Sequence, residues 1–217
     1  MSARGRVVSV NVSPVRTVEH QGKEVSTGIF KQPVAGSVPL RGVNLDGDDQ
    51  ADRKNHGGPV RAAYAYAQED YRWWEETLGR TLPPGKFGEN LTLCGVDVNG
   101  ALIGERWRTG SAVVQVTSPR VPCYKLALTM GDPAFVRKCA QALRPGAYLS
   151  IVEGGAVASG DAVEVVSKPA HRLTIAEMTH IYFSERERLS ELLVRELPEH
   201  WRAWVVAQLG VESPDAR

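Results

Sequence analysis

Ala112-Val113-Val114-Gln115-Val116-Thr117-Ser118-Pro119-Arg120-Val121-Pro122-Cys123 joins an alternating apolar run to a cysteine held between two prolines and an arginine. Apolar residues in this pattern predict a β-strand over 112–117. Proline fixes the backbone and has no N–H to give to a ladder, so the chain is expected to leave the strand at Ser118 as a stiff loop that presents a thiol. Arg120 stands three residues from that sulfur and favours the thiolate if the two side chains face one another. A thiolate is the nucleophilic form of cysteine and a ligand for soft metals. The competing reading is a small buried hydrophobe, the common state of a free cysteine. Cys94, in the turn-like Thr92-Leu93-Cys94-Gly95, and Cys139, in a helical stretch, are read as structural.

Working outward, short apolar or alternating runs separated by glycine and proline recur at Val7 to Val12, Ala62 to Ala67, Ala101 to Ile103, Tyr148 to Val152 and Ala162 to Val166. Closely spaced short strands of this kind predict a sandwich or barrel rather than a βαβ array. Helices are expected at Ala67 to Leu78, with acidic first-turn residues and Gly79 as a stop, and at Pro133 to Leu143, with Asp132 as cap. After Lys168-Pro169 the pattern turns helical. Thr174 with Glu177 three residues on reads as a capping box, followed by amphipathic runs at Arg186 to Leu197 and Glu199 to Leu209. The fold class expected is mainly β with α: a β-domain, sandwich or barrel, over residues 1–167, then a small three-helix module over 168–217 that packs on it or on a second subunit, as in a homodimer. Trp73, Trp74, Trp201 and Trp204 read as packing residues.

With 26 Lys+Arg against 25 Asp+Glu there is no overall basic footprint, so direct nucleic-acid binding is not expected, although a local anion pocket is compatible with this balance. Three cysteines without a CxxC pair exclude a disulfide scaffold and zinc-type spacing and suit a reducing compartment. Met1 to Val15 lacks the apolar core of a signal peptide, and no run of about 18 apolar residues occurs, so no membrane segment is expected and the localisation expected is cytoplasmic.

Four polar clusters accompany the cysteine loop. Ser26-Thr27-Gly28-Ile29-Phe30-Lys31-Gln32-Pro33 sets a hydroxyl and an ammonium beside glycine and proline. Gly47-Asp48-Asp49-Gln50-Ala51-Asp52-Arg53-Lys54-Asn55-His56-Gly57-Gly58-Pro59 offers cations, a histidine and paired glycines whose backbone can approach a ligand. Pro84-Gly85-Lys86-Phe87-Gly88-Glu89-Asn90-Leu91-Thr92 supplies donors and acceptors from a turn. Arg144-Pro145-Gly146-Ala147-Tyr148 could bring an arginine to the same mouth. Loops between the strands of a small barrel gather at its ends, so these clusters are expected to converge on Cys123.

In order and spacing, Gly28 to Val34, Gly47 to Asp52, His56-Gly57-Gly58-Pro59, Phe87 to Thr92 and Pro119 to Leu126 closely resemble the MOSC domain family, and within it the stand-alone YiiM-like members. The resemblance covers about residues 6 to 168, and the tail looks like the three-helix module of that subgroup. It implies a MOSC-type β-barrel that binds the molybdenum cofactor, a molybdopterin with a terminal phosphate, with Cys123 as the protein ligand to the metal. By motif position it carries cofactor contacts to Thr27, Lys31, Arg53, His56, Glu89, Asn90, Ser118 and Arg120. It implies an oxidoreductase that reduces N-hydroxylated compounds, such as hydroxylaminopurine bases, to amines, with His56 or Glu89 delivering protons. No GxGxxG after a strand and no CxxCH occurs, so an external electron-donor reductase is implied as partner. The alternatives are a cofactor or persulfide carrier that uses Cys123 without turnover, and a structural adaptor. The chain departs from the family pattern at Val60-Arg61, where an acidic-basic pair is usual, and at Glu105, where aspartate is expected.

Overall fold

In the computed structural model of the chain, residues 5–52 and 57–210 are described. The strands, in chain order, are β1 (Gly5–Val12), β2 (Arg16–His20), β3 (Lys23–Thr27), β4 (Gln32–Pro33), β5 (Val38–Arg41), β6 (Asn44–Leu45), β7 (Ala63–Ala67), β8 (Leu91–Cys94), β9 (Arg106–Thr109), β10 (Ala112–Pro119), β11 (Ala147–Glu153), β12 (Gly155–Val157) and β13 (Ala162–Ser167). Seven of them run β13-β9-β10-β11-β7-β8-β1 and close through β1–β13 pairing into a barrel. All neighbours in it are antiparallel except β7 and β8. Closure removes the exposed edges that an open sheet would carry. The hairpin β2–β3 and the small sheet β12-β5-β6 stand outside it.

The helices are α1 (Gln68–Leu78), α2 (Tyr124–Met130), α3 (Phe135–Ala142), α4 (Ile175–Ser184) and α5 (Glu199–Leu209), with 3-10 turns at Pro59–Arg61 and Arg186–Leu192. β7 shows how the sequence divides the interior. Its residues Ala63-Tyr64-Ala65-Tyr66-Ala67 are all buried, and side chains alternate across a strand. The three alanines face the barrel core together with Val114, Val116 and Trp107, while Tyr64 and Tyr66 face a second, aromatic core. Into that second core α1 places Tyr71 and Trp74, α2 places Leu126 and Met130, and α3 places Phe135 and Cys139. The tail helices cover the barrel core, contributing Ile175, Met178, Ile181, Trp201 and Val205.

The strands expected around β1, β7, β10, β11 and β13 are present. Four readings need correction. Ala101 to Ile103 is no strand: it makes a single bridge, Leu102 to Thr174, and its apolar residues lie under the tail. β10 continues through Ser118 and Pro119, because those residues pair with Tyr148 and Ala147 of β11 on one side while β9 ends opposite Gln115 on the other. Pro119 therefore sits at the strand's end with a pairing strand on one side only, where proline is tolerated. The segment after Cys123 winds into a helix, α2, that the sequence reading did not include, and the second tail element is a short 3-10 run rather than an amphipathic helix to Leu197. The cap at Thr174 is as read, its hydroxyl accepting from the Glu177 N–H at 3.0 Å.

Candidate functional site

At one end of the barrel, the starts of β7, β8 and β11 and the loops after β3, β6 and β10 surround a cavity lined by Thr27, Lys31, Asn90, Arg120 and Cys123 among others. Five of the residues expected from sequence thus meet in one place. The loops can come this close because Gly28 has no side chain: a Cβ there would stand 2.3 Å from the Asp49 carbonyl oxygen.

One wall is an ionic network. Lys31 is 8% exposed, and its ammonium meets the Asp48 carboxylate at 2.5 Å and the Gly28 carbonyl at 3.2 Å. Burial lowers the Lys31 pKa, Asp48 opposes that shift, and the nearby Arg120 charge adds to it. Asp48 also accepts from the Ser13 N–H and from the Asn90 amide, each at 2.9 Å. Asn90 uses its whole side chain: Oδ1 accepts from the Tyr64 N–H, and Nδ2 donates to Asn11 O as well as to Asp48. The Thr27 hydroxyl accepts from the Ile29 N–H at 3.2 Å and turns the chain out of β3.

The other wall carries the cysteine. Cys123 is half-buried, extended at φ −132° and ψ 172°, immediately before α2. Its carbonyl accepts from the Leu126 N–H at 2.9 Å, which anchors the residue to the first helical turn. Arg120 is 7% exposed, donates to the Phe87 carbonyl, and lies 5.1 Å from the centre of the Tyr64 ring. Its guanidinium attracts the Cys123 sulfur when that is ionised, the arrangement that favours a thiolate. Among the described residues Arg120 has no carboxylate within ion-pair distance. Ser118 is fully buried beside this wall, does not line the cavity, and its hydroxyl has no hydrogen-bond partner among the described residues.

Glu89 is placed differently from the other expected contacts. It is fully buried behind the cavity and does not line it. Its carboxylate accepts from the Tyr71 hydroxyl at 2.6 Å, the Thr92 hydroxyl at 2.7 Å, the Gly85 N–H at 2.7 Å and the Phe87 N–H at 3.2 Å. Burial raises its pKa, and these donors oppose the shift. Arg53 and His56 lie outside the described residues. Arg144 does not reach the cavity: it pairs with Asp70, lies 4.8 Å from the Trp73 ring centre, and lines a separate groove with Asn99. Cys139 is a core residue whose thiol pKa burial pushes up to about 11, against the Arg120 charge. Cys94 ends β8 opposite Arg6.

Several lining residues, Asp49, Asp52 and Tyr64 among them, were not expected as site residues from the sequence. Asp48 stood within a quoted motif, but an acidic loop reads as solvated until Lys31 is brought onto it. Arg61, Lys125 and Tyr148 also line the cavity. Lys125 adjoins the cysteine and donates to the Ser26 carbonyl at 3.2 Å, tying α2 to β3. Burial raises the Tyr148 pKa, with Arg120 and Arg61 opposing.

The MOSC domain model matches residues 52–164, just over half of the chain. YflK, an uncharacterized protein of Bacillus subtilis (strain 168), is 39% identical over 204 residues, which is 92% of each chain. A protein named "Reductase" from Gibberella moniliformis (strain M3125 / FGSC 7600) is 26% identical over 168 residues, covering 74% of this chain and 29% of that one. The crystal structure of YiiM from Geobacillus stearothermophilus superposes with a TM-score of 0.79 at 30% identity, covering 94% of this chain and 99% of that one. The family model, which covers more than half of the chain, and the superposition on YiiM over nearly the whole of both chains make this chain a member of the MOSC domain family, of the stand-alone YiiM-like type.

Proposed function

We propose that the cavity binds the molybdenum cofactor and that the protein reduces N-hydroxylated compounds, such as hydroxylaminopurine bases, to the corresponding amines. The observation that carries this reading is Arg120: a buried guanidinium, facing a cavity it shares with a thiol, with no carboxylate within ion-pair distance among the described residues. An unpaired buried charge is costly, so such a site favours an anionic ligand. The donor set fits the group in question, since Arg120, Lys31 and Lys125 suit a phosphate and a pterin's polar edge, and Cys123 suits a soft metal. MOSC membership and the relative named as a reductase support the same choice.

In this reading Cys123 is the metal ligand, and Arg120 holds anionic groups beside it. Lys31, fixed by Asp48, and Asn90, fixed by three hydrogen bonds, keep the wall rigid against the ligand. When bound, the cofactor supplies the two-electron chemistry that splits an N–O bond. Converting a hydroxylamine to an amine and water consumes two electrons and two protons. The protein's part is to deliver the protons, from Tyr148, which burial keeps protonated in the cavity wall, or from His56. Glu89, sealed behind the cavity, serves instead as the scaffold of the 85–92 turn. The electrons are assigned to a separate reductase, and the cytoplasm is the compartment proposed. Among the described residues no helix is long and apolar enough to cross a membrane.

The decisive measurement is the molybdenum and pterin content of protein made in a cofactor-producing host, wild type beside Cys123→Ser. Stoichiometric molybdenum in the wild type, lost in the variant, is expected. Reduction of N-hydroxylated bases with an electron donor should follow the metal. Absence of metal from both, in cells whose other molybdenum enzymes are loaded, would sink the reading.

A further inference from the structure

We propose that His200, on α5, positions Arg61 as an anion-binding side chain of the cavity, so that the C-terminal helix completes a site otherwise built on the barrel. Arg61 ends the 3-10 turn at Pro59–Arg61 and lines the cavity. Its guanidinium carbon lies 5.6 Å from the centre of the Tyr148 ring, and one of its terminal nitrogens lies 2.9 Å from Nε2 of His200. These two residues are 139 positions apart in sequence, so the contact is a property of the fold.

The chemistry of the pair fixes its protonation. A guanidinium can only donate, so Nε2 of His200 must accept, which requires a neutral ring with its proton on Nδ1. Burial and the Arg61 charge both lower the His200 pKa, in keeping with a neutral ring. The backbone of the turn is held independently: Gln50 Nε2 donates to Arg61 O at 2.9 Å, and Gln50 Oε1 accepts from the Gly58 N–H at 3.0 Å. Main chain and side chain of Arg61 are thus set by different elements.

What the arrangement is for follows from the cavity lining. Four cations, Lys31, Arg61, Arg120 and Lys125, line the cavity against three carboxylates, Asp48, Asp49 and Asp52. The balance favours an anion, and arginine forks match the oxygens of a phosphate. The ligand class is therefore a phosphate or phosphate monoester. That it is the terminal phosphate of a pterin rests on the function proposed above; the anion site itself does not.

The test is calorimetric titration of purified protein with inorganic phosphate, using wild type, Arg61→Gln, His200→Leu and His200→Gln, with near-UV circular dichroism to establish that each is folded. Loss of one oriented, charge-assisted contact weakens binding by about tenfold. Arg61→Gln and His200→Leu are expected to show that loss, and His200→Gln, which keeps an acceptor oxygen, to recover most of it. A nitrogen-15 spectrum of the wild-type protein should show the His200 ring neutral with its proton on Nδ1, a readout that needs no variant. Phosphate affinity unchanged in His200→Leu, no recovery in His200→Gln, no phosphate binding by the wild type, or a protonated His200 at neutral pH would each overturn the proposal. The two ideas separate cleanly. Phosphate binding that tracks His200 in a protein that never carries pterin removes the cofactor reading alone, whereas pterin retained while phosphate binding ignores His200 removes this one alone.

Discussion

Glu89 and Lys31 are both charged, both buried and both close to the cavity, yet their partners give them different work. Lys31 opens on the cavity with one carboxylate beside it, whereas Glu89 is enclosed by four donors and touches no open space. The substitution Glu89→Gln separates a scaffold from a proton donor. One oxygen of the new amide can still accept from Tyr71 and Thr92, but its NH2 group must then face the Phe87 N–H, donor against donor. Leaving that contact unmade costs about 1–3 kcal/mol. We expect urea denaturation to show a loss in this range, while protein that remains folded still acquires cofactor and turns over. A variant of wild-type stability that binds cofactor but is inactive would return Glu89 to the chemistry.

The cavity exists because separate loops meet, and Gly28 is where two of them touch. A methyl group at Gly28 would be driven into the Asp49 carbonyl, so Gly28→Ala must push the β3 exit away from the 47–52 loop. Overpacking of this kind costs about 1–3 kcal/mol. Here the strain falls on the cavity wall, so loss of bound cofactor is expected to exceed what the modest fall in melting temperature would explain; unchanged metal content in Gly28→Ala would show that the 47–52 loop does not hold the ligand. The motif glycines could be read from sequence for this reason, since close backbone approach is a property of the residue itself. β1, β7 and β10 were legible because β-branched or alternating residues carry their own period. β9 was not: Arg106-Trp107-Arg108-Thr109 alternates exposed and buried, but it holds one large apolar side chain, too little to stand out. Ala101 to Ile103 misled for the opposite reason. It is apolar because the tail covers it, with Ile103 N–H bonded to Leu173 O and Ile175 N–H to Ala101 O in place of a sheet. Asp48 and the Arg61–His200 contact were invisible because each depends on a partner that only the folded chain supplies.

That last contact belongs to a larger feature, the way the tail is joined to the barrel. Trp201 of α5 is 6% exposed and packs edge-on against Tyr182 of α4 at 5.4 Å and Trp204 at 5.6 Å, in the same apolar cluster as Val114 and Ile103. Backbone bonds from Ile175 and Ala176 to Ala101 and Asn99 stitch the start of α4 to the barrel. Short helices cannot bury a core of their own, so removing tail packing should weaken the barrel as well. Trp201→Ala removes a large buried side chain, at a cost of about 3–5 kcal/mol. If barrel and tail form one cooperative unit, the variant unfolds in a single transition at a lower temperature. The near-UV signal of Trp74, in the aromatic core remote from the substitution, should then melt together with the far-UV signal. Two separated transitions, with only the helical one moved by Trp201→Ala, would instead show that residues 1–167 and 168–217 fold as independent domains. In that case the link from His200 to Arg61 would join two bodies able to separate, and ligand binding should become sensitive to temperatures at which only the tail has melted.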